Sequence, residues 1–86
     1  MFINKAKNGL NNVCGKVIAA KRMELGISQR ILADRLQLFG MDVDKNAIQR
    51  IEAGKRFVTD IELIYFSKVL DLSFDELLAL NDSVNA

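Results

Sequence analysis

The sequence predicts an all-α fold, one small domain of five helices without strands. Three observations carry this. Apolar residues recur three or four apart along most of the chain, as one buried helical stripe requires. Three of the five glycines each follow such a stripe, and two capping boxes open stripes towards the C-terminal end.

Helix 1 is predicted from Asn12 to Leu25, with Ile18, Ala19, Met23 and Leu25 inward and Gly26 as its stop. Ser28 caps helix 2, since a hydroxyl there accepts from an unpaired amide of the first turn. The apolar set of helix 2 is Ile31 or Leu32, Ala33, Leu36 and Phe39, closed by Gly40. Val43 bridges to helix 3, where Asp44 suits the N-cap and Gly54 the left-handed position after the end. Ala47, Ile48 and Ile51 form its inner side. Helix 4 opens on Thr59-Asp60-Ile61-Glu62, whose hydroxyl and carboxylate satisfy reciprocal amides. It continues through Leu63, Phe66, Ser67 and Leu70. Asp71-Leu72-Ser73 makes the turn, and Ser73-Phe74-Asp75-Glu76 opens helix 5 with Phe74, Leu77, Leu78 and Leu80. Residues 1–11, polar and Asn-rich, read as a flexible arm, 12–80 as the folded domain, and 81–86 as a frayed tail.

Composition narrows the function. The 86 residues, half of them hydrophobic, allow one small core and no separate effector-binding domain. Such a core leaves only a few kcal/mol of net stability, which makes a homodimer a natural supplement. Cys14 stands alone, so it forms no internal disulfide or cysteine cage; it reads as a half-buried reduced thiol in a cytoplasmic protein. The apolar run Val17 to Ala20 is far too short to span a bilayer, and no membrane contact is expected. There is no His, no Gly-rich phosphate loop and no metal-ligand cluster. An enzyme, a metal, a cofactor or a small-molecule ligand is therefore not expected.

The net charge of +1 hides an asymmetry. Residues 1–56 hold eleven Lys/Arg and five Asp/Glu, whereas residues 57–86 hold one Lys and six Asp/Glu. The basic part contains helix 3, whose outer side carries Lys45, Asn46, Gln49 and Arg50. Those side chains match the donors and acceptors of base edges in the DNA major groove. Lys55 and Arg56 follow the helix, where cations meet phosphates. A merely solvated helix face is the alternative for the first four, and flexible loop cations for Lys55 and Arg56. Phe57, Tyr65 and Phe66 read as core, or in part as a dimer face.

In order along the chain stand Gly15-Lys-Val-Ile18, Arg22, Gly26-Ile-Ser-Gln29, Leu32-Ala33, Val43, Ile48, Ile51-Glu52, Gly54-Lys-Arg56 and the run Leu63, Leu70, Ser73, Leu77. Together they resemble the Cro/C1-type (XRE-like) helix-turn-helix DNA-binding domains of phage repressors and bacterial regulators. The likeness covers roughly residues 13–80. It implies a lambda-repressor-like domain in which helices 2 and 3 read DNA, with helix 3 in the major groove. By position it implies base contacts from Asp44, Lys45, Asn46, Gln49 and Arg50, with Asp44 also the cap. It implies phosphate contacts from Gln29, Lys55 and Arg56, and an ion pair between Arg22 and Glu52. Two departures stand out. The family's turn holds Leu and Val two positions apart, whereas Leu36 and Val43 lie seven apart, an insertion of five. An extra turn on helix 2 up to Gly40 and a longer connection through Met41 and Asp42 are the expected result. Ala53 stands where the family often has an Asn that reaches a phosphate.

The expected function is a transcriptional repressor, bacterial or phage-encoded, cytoplasmic and nucleoid-associated, bound to a palindromic operator as a homodimer on double-stranded DNA. The alternative is an antitoxin or interaction module on the same scaffold, acting through a protein partner.

Overall fold

Helix starts and stops written into the sequence divide the chain into five segments, and a computed structural model, which describes residues 9–79, shows each of them helical. They are α1 (Gly15–Glu24), α2 (Gln29–Leu38), α3 (Lys45–Glu52), α4 (Asp60–Leu70) and α5 (Phe74–Leu77), with no strand among the described residues. Leu80, the tail 81–86 and residues 1–8 of the expected arm lie outside the described residues.

The caps are local and mostly as the sequence spells them. The side chains of Ser28, Asp44, Thr59 and Ser73 accept from Ile31, Ala47, Glu62 and Glu76 amides. The last two are reciprocal boxes. At the other ends α1, α2 and α3 close alike. The amides of Gly26, Gly40 and Gly54 donate to Met23, Gln37 and Ile51, and the following amides reach back to Arg22, Leu36 and Arg50. This pairing needs a left-handed residue, and Gly54 provides it at φ +77.

The stripes converge on one core. Ile18, Leu32, Leu36, Ile48, Ile51, Phe66, Leu70 and Leu77 are all buried, with Cys14 among them. Burying each large apolar side chain is worth about 1.5–3 kcal/mol, so this cluster fixes how α2 and α3 sit on α1 and α4.

Three expectations change. α1 starts at Gly15, not Asn12, and Met23 and Leu25 are exposed, Met23 by 65%. Cys14, Ile18 and Arg22 follow at four-residue spacing and hold the inner face. Met23 falls about 140° round from Ile18 at 3.6 residues per turn. Phe39 is half exposed because it caps α2, and Met41 and Val43 take the buried places beyond it. Cys14 is 1% exposed, not half-buried. Burial pushes its thiol up to about 11 against a backbone hydrogen bond that lowers it, with the Glu62 carboxylate adding to the rise.

The insertion is shared between helix and connection. α2 runs to Leu38, two residues beyond Leu36, and the chain then returns through Met41 to Val43. Gln37 ties this connection down by donating Nε2 to the Val43 carbonyl at 2.7 Å. Leu38, at the apex, is 86% exposed.

Candidate nucleic-acid interface

The burial of Ile48 and Ile51 turns the opposite side of α3 to solvent. Lys45, Asn46, Gln49 and Arg50 are exposed there, and no side-chain hydrogen bond or ion pair holds any of them among the described residues. Asp44 begins the helix with Oδ1 committed to the Ala47 amide at 2.8 Å. Its first role is therefore the cap. Asn46, Gln49, Arg50, Ala53 and Lys55 surround an open depression of about 310 Å³. Four polar or cationic side chains thus border one hollow along α3 and its exit. Ala53 is its apolar member, at the position where the resemblance often implies an Asn.

Behind this face lies a polar junction. Arg22 donates Nε to Glu52 Oε2 at 2.7 Å, and its terminal nitrogens reach Glu52 Oε1 at 3.1 Å and the Ile27 carbonyl at 2.9 Å. The Glu52 hydrogen bond outweighs burial and holds the guanidinium proton above its ordinary range. Glu52 sits in the last turn of α3, where the helix dipole disfavours an anion; the bidentate Arg22 fork supplies the compensation. Gln29 joins the same group, donating Nε2 to Glu52 Oε1 at 3.0 Å. Of the two N–H donors of its amide, one is committed inside the protein.

Arg56 departs from its expected place. Its two terminal nitrogens bond both oxygens of Glu62 at 3.1 and 2.9 Å. In the free chain its charge is compensated, and Lys55 is the exposed cation of the exit loop. Burial acts to raise the Glu62 carboxyl, but bonds from Arg56 and Thr59 outweigh it and hold the group below its ordinary value. Glu62 also closes the α4 capping box, so one carboxylate fastens both the loop and the helix that follows.

Three contributors were absent from the sequence candidates. Asn12 donates Nδ2 to the Ile51 carbonyl at 3.1 Å and the Arg56 carbonyl at 2.8 Å, and accepts from the Gly15 amide at 2.8 Å. Asn11 donates through its backbone to Gly54 and through Nδ2 to Lys55. Residues of the expected arm therefore include one that is bonded to the α3 exit. Arg30, exposed next to Gln29 in the first turn of α2, adds a cation at that end. The preference of Asn for helix starts was a usable signal for Asn12. Its two distant carbonyl partners had none.

No three His, Cys, Asp or Glu side chains gather as a metal site among the described residues, and none of their helices is long and apolar enough to cross a membrane. The family model described as helix-turn-helix matches residues 18–77, from within α1 to the end of α5. No curated protein and no solved structure matches the chain. The match covers most of the chain, and the chain belongs to the helix-turn-helix family of the Cro/C1 (XRE-like) type, a family of DNA-binding regulators.

Proposed function

We propose that this member of the helix-turn-helix family is a cytoplasmic, sequence-specific repressor that binds a roughly palindromic duplex site as a homodimer. The observation that carries the reading is the outer face of α3, where Lys45, Asn46, Gln49 and Arg50 are exposed and unpaired within the described chain. With α3 in the major groove, Arg50 pairs with guanine O6 and N7, and Asn46 or Gln49 with adenine. Lys55 meets the backbone beside them, and the remaining N–H of Gln29 meets a phosphate at the start of α2. Arg56, whose fork is engaged with Glu62, meets a phosphate through its remaining N–H donors. Residues 12–80 form the DNA-binding unit.

Repression follows from occupancy: a protein seated on the duplex excludes polymerase from the same stretch. In the dimer the two α3 helices lie about one duplex turn apart, ~34–36 Å. Exposed Phe74 of α5 and Leu78 just after it, with Met23 of α1 and Leu25 just after that helix, offer apolar surface for association.

Selection of bound sequences from a random duplex pool, followed by titration at two salt concentrations, tests this reading. A site with two related halves is expected, with binding to random duplex that weakens steeply as salt rises. Weak, salt-independent binding would refute it. The second reading, an antitoxin or interaction module, draws on Leu38, Phe39, Ile61 and Ile64, all exposed and apolar. A stable complex with a second protein in place of duplex binding would favour that alternative.

A further inference from the structure

We infer that Asn12 is a positioning residue for DNA reading: its carboxamide sets where the end of α3 and the basic exit loop lie relative to α1. The inference rests on the DNA-binding role proposed above for α3. It begins with what one side chain holds. The single oxygen of Asn12 accepts the Gly15 amide, which fixes the side chain to the first turn of α1. Both hydrogens of its nitrogen are then directed at carbonyls, Ile51 in the last turn of α3 and Arg56 in the loop beyond Gly54. These partners are 39 and 44 residues away in sequence. One amide thus joins the first turn of α1 to points on either side of the helix stop.

Gly15 sharpens the same contact. It is buried, and a Cβ on it would overlap the Ile51 carbonyl oxygen and come within 3.2 Å of the Glu52 carbonyl. The first turn of α1 therefore lies directly against the backbone at the end of α3. Asn11 adds two bonds to the next carbonyls, from its amide to Gly54 at 2.8 Å and from Nδ2 to Lys55 at 2.9 Å. Three successive carbonyls of the exit, at residues 54, 55 and 56, are so drawn towards residues 11 and 12. Lys55, whose ammonium is the exposed cation here, hangs from the middle one.

Only a primary amide meets this geometry. The site needs one acceptor and two donors within one short side chain, which Asn supplies. Asp keeps the acceptor for Gly15 but turns an anion towards two carbonyl oxygens. Ala loses all three bonds and leaves the Ile51 and Arg56 carbonyls without this donor. The consequence for reading is leverage. α3 has eight residues and is about 12 Å long, so a shift of about 1 Å at one end tilts Asn46, Gln49 and Arg50 by several degrees.

The test compares the unaltered protein with Asn12→Asp and Asn12→Ala, each shown to be folded at the assay temperature by circular dichroism. Dissociation constants are measured on a duplex selected by the unaltered protein and on random duplex at matched salt. Both variants should weaken the selected duplex about 10-fold or more while changing random duplex by less than about 3-fold. Sequences selected anew by Asn12→Ala should show relaxed preference at the positions read by α3. Equal losses on both duplexes would make Asn12 a stability residue only and overturn the inference. So would a loss confined to Asn12→Asp, which would be a charge effect. If the unaltered protein shows no preference among duplexes, the proposed function itself fails; if it does and the variants keep that preference, only the role of Asn12 fails.

Discussion

The helices of the acidic half are fastened within themselves, whereas those of the basic half, though capped locally, are also fastened to one another. Thr59 with Glu62, and Ser73 with Glu76, exchange bonds within four residues at the starts of α4 and α5. In the basic half, beside the local caps of Ser28 and Asp44, further partners are far apart in sequence. Arg22 and Glu52 are separated by 30 residues, Gln29 and Glu52 by 23, and Asn12 lies 39 before Ile51. The difference teaches where orientation is decided. A local cap lets a helix form wherever its stripe finds a core, and α3 has one in Asp44, but α3 takes its direction from polar groups on α1 and α2. That dependence suits a helix proposed to meet DNA at a fixed angle.

The most severe way to break the comparison is to remove one member of the Arg22–Glu52 pair. Both side chains are largely shielded, 13% and 8% exposed. Glu52→Ala leaves a shielded guanidinium without its anion and is expected to cost about 3 kcal/mol in urea unfolding. A double-mutant cycle with Arg22→Ala should return a coupling of about 1 kcal/mol or more. Additive losses would show that the two side chains act independently.

Next in size is Arg50→Ala, which touches the reading face and none of its supports. Binding to a selected duplex should weaken by about 1–3 kcal/mol, with little change on random duplex or in thermal stability. Equal weakening on both would make Arg50 a general cation. Its neighbour Lys55 sharpens the contrast from the other side. Lys55→Ala should lower the salt slope by about one without altering sequence preference.

In the acidic half the expected effects are smaller and confined to folding. Thr59→Ala removes one side of the α4 box and should cost about 1 kcal/mol, while the ratio of selected to random duplex binding stays as it was. A changed ratio would mean that α4 also sets the α3 angle. The smallest effect is on acid. Glu62 lies below its ordinary 4.5 in the folded chain, so on acidification the unfolded chain takes up the proton first. Its contribution is complete above the ordinary carboxylate range and is lost as pH falls through the folded value. Arg56→Ala should therefore flatten part of the decline in stability measured between about pH 6 and pH 3. An unaltered decline would show that the Arg56 fork contributes nothing to it.

What could be read in advance follows the same division. Ser28, Asp44, Thr59 and Ser73 announce helix starts, and Gly26, Gly40 and Gly54 announce stops, because capping is settled by a few consecutive residues. The buried stripe of α3 was equally legible, and with it the exposure of Lys45, Asn46, Gln49 and Arg50. α1 departs from its apolar pattern: Met23 and Leu25 suggest an inner face that Arg22 occupies. Hydrophobicity alone did not reveal that a guanidinium belonged inside, facing Glu52.

The sequence by itself determined the five helices, their order, most of their caps and stops, and the polar face of α3. It did so because helical periodicity and caps depend on neighbours within about four residues. Only the tertiary structure decided that Asn12 holds the α3 exit, that Gln29 leans on Glu52, and that Arg56 is drawn to Glu62 while the Lys55 side chain is unpaired among the described residues. Those outcomes depend on which carbonyls and carboxylates packing brings within hydrogen-bond reach, and packing joins residues that no short window contains.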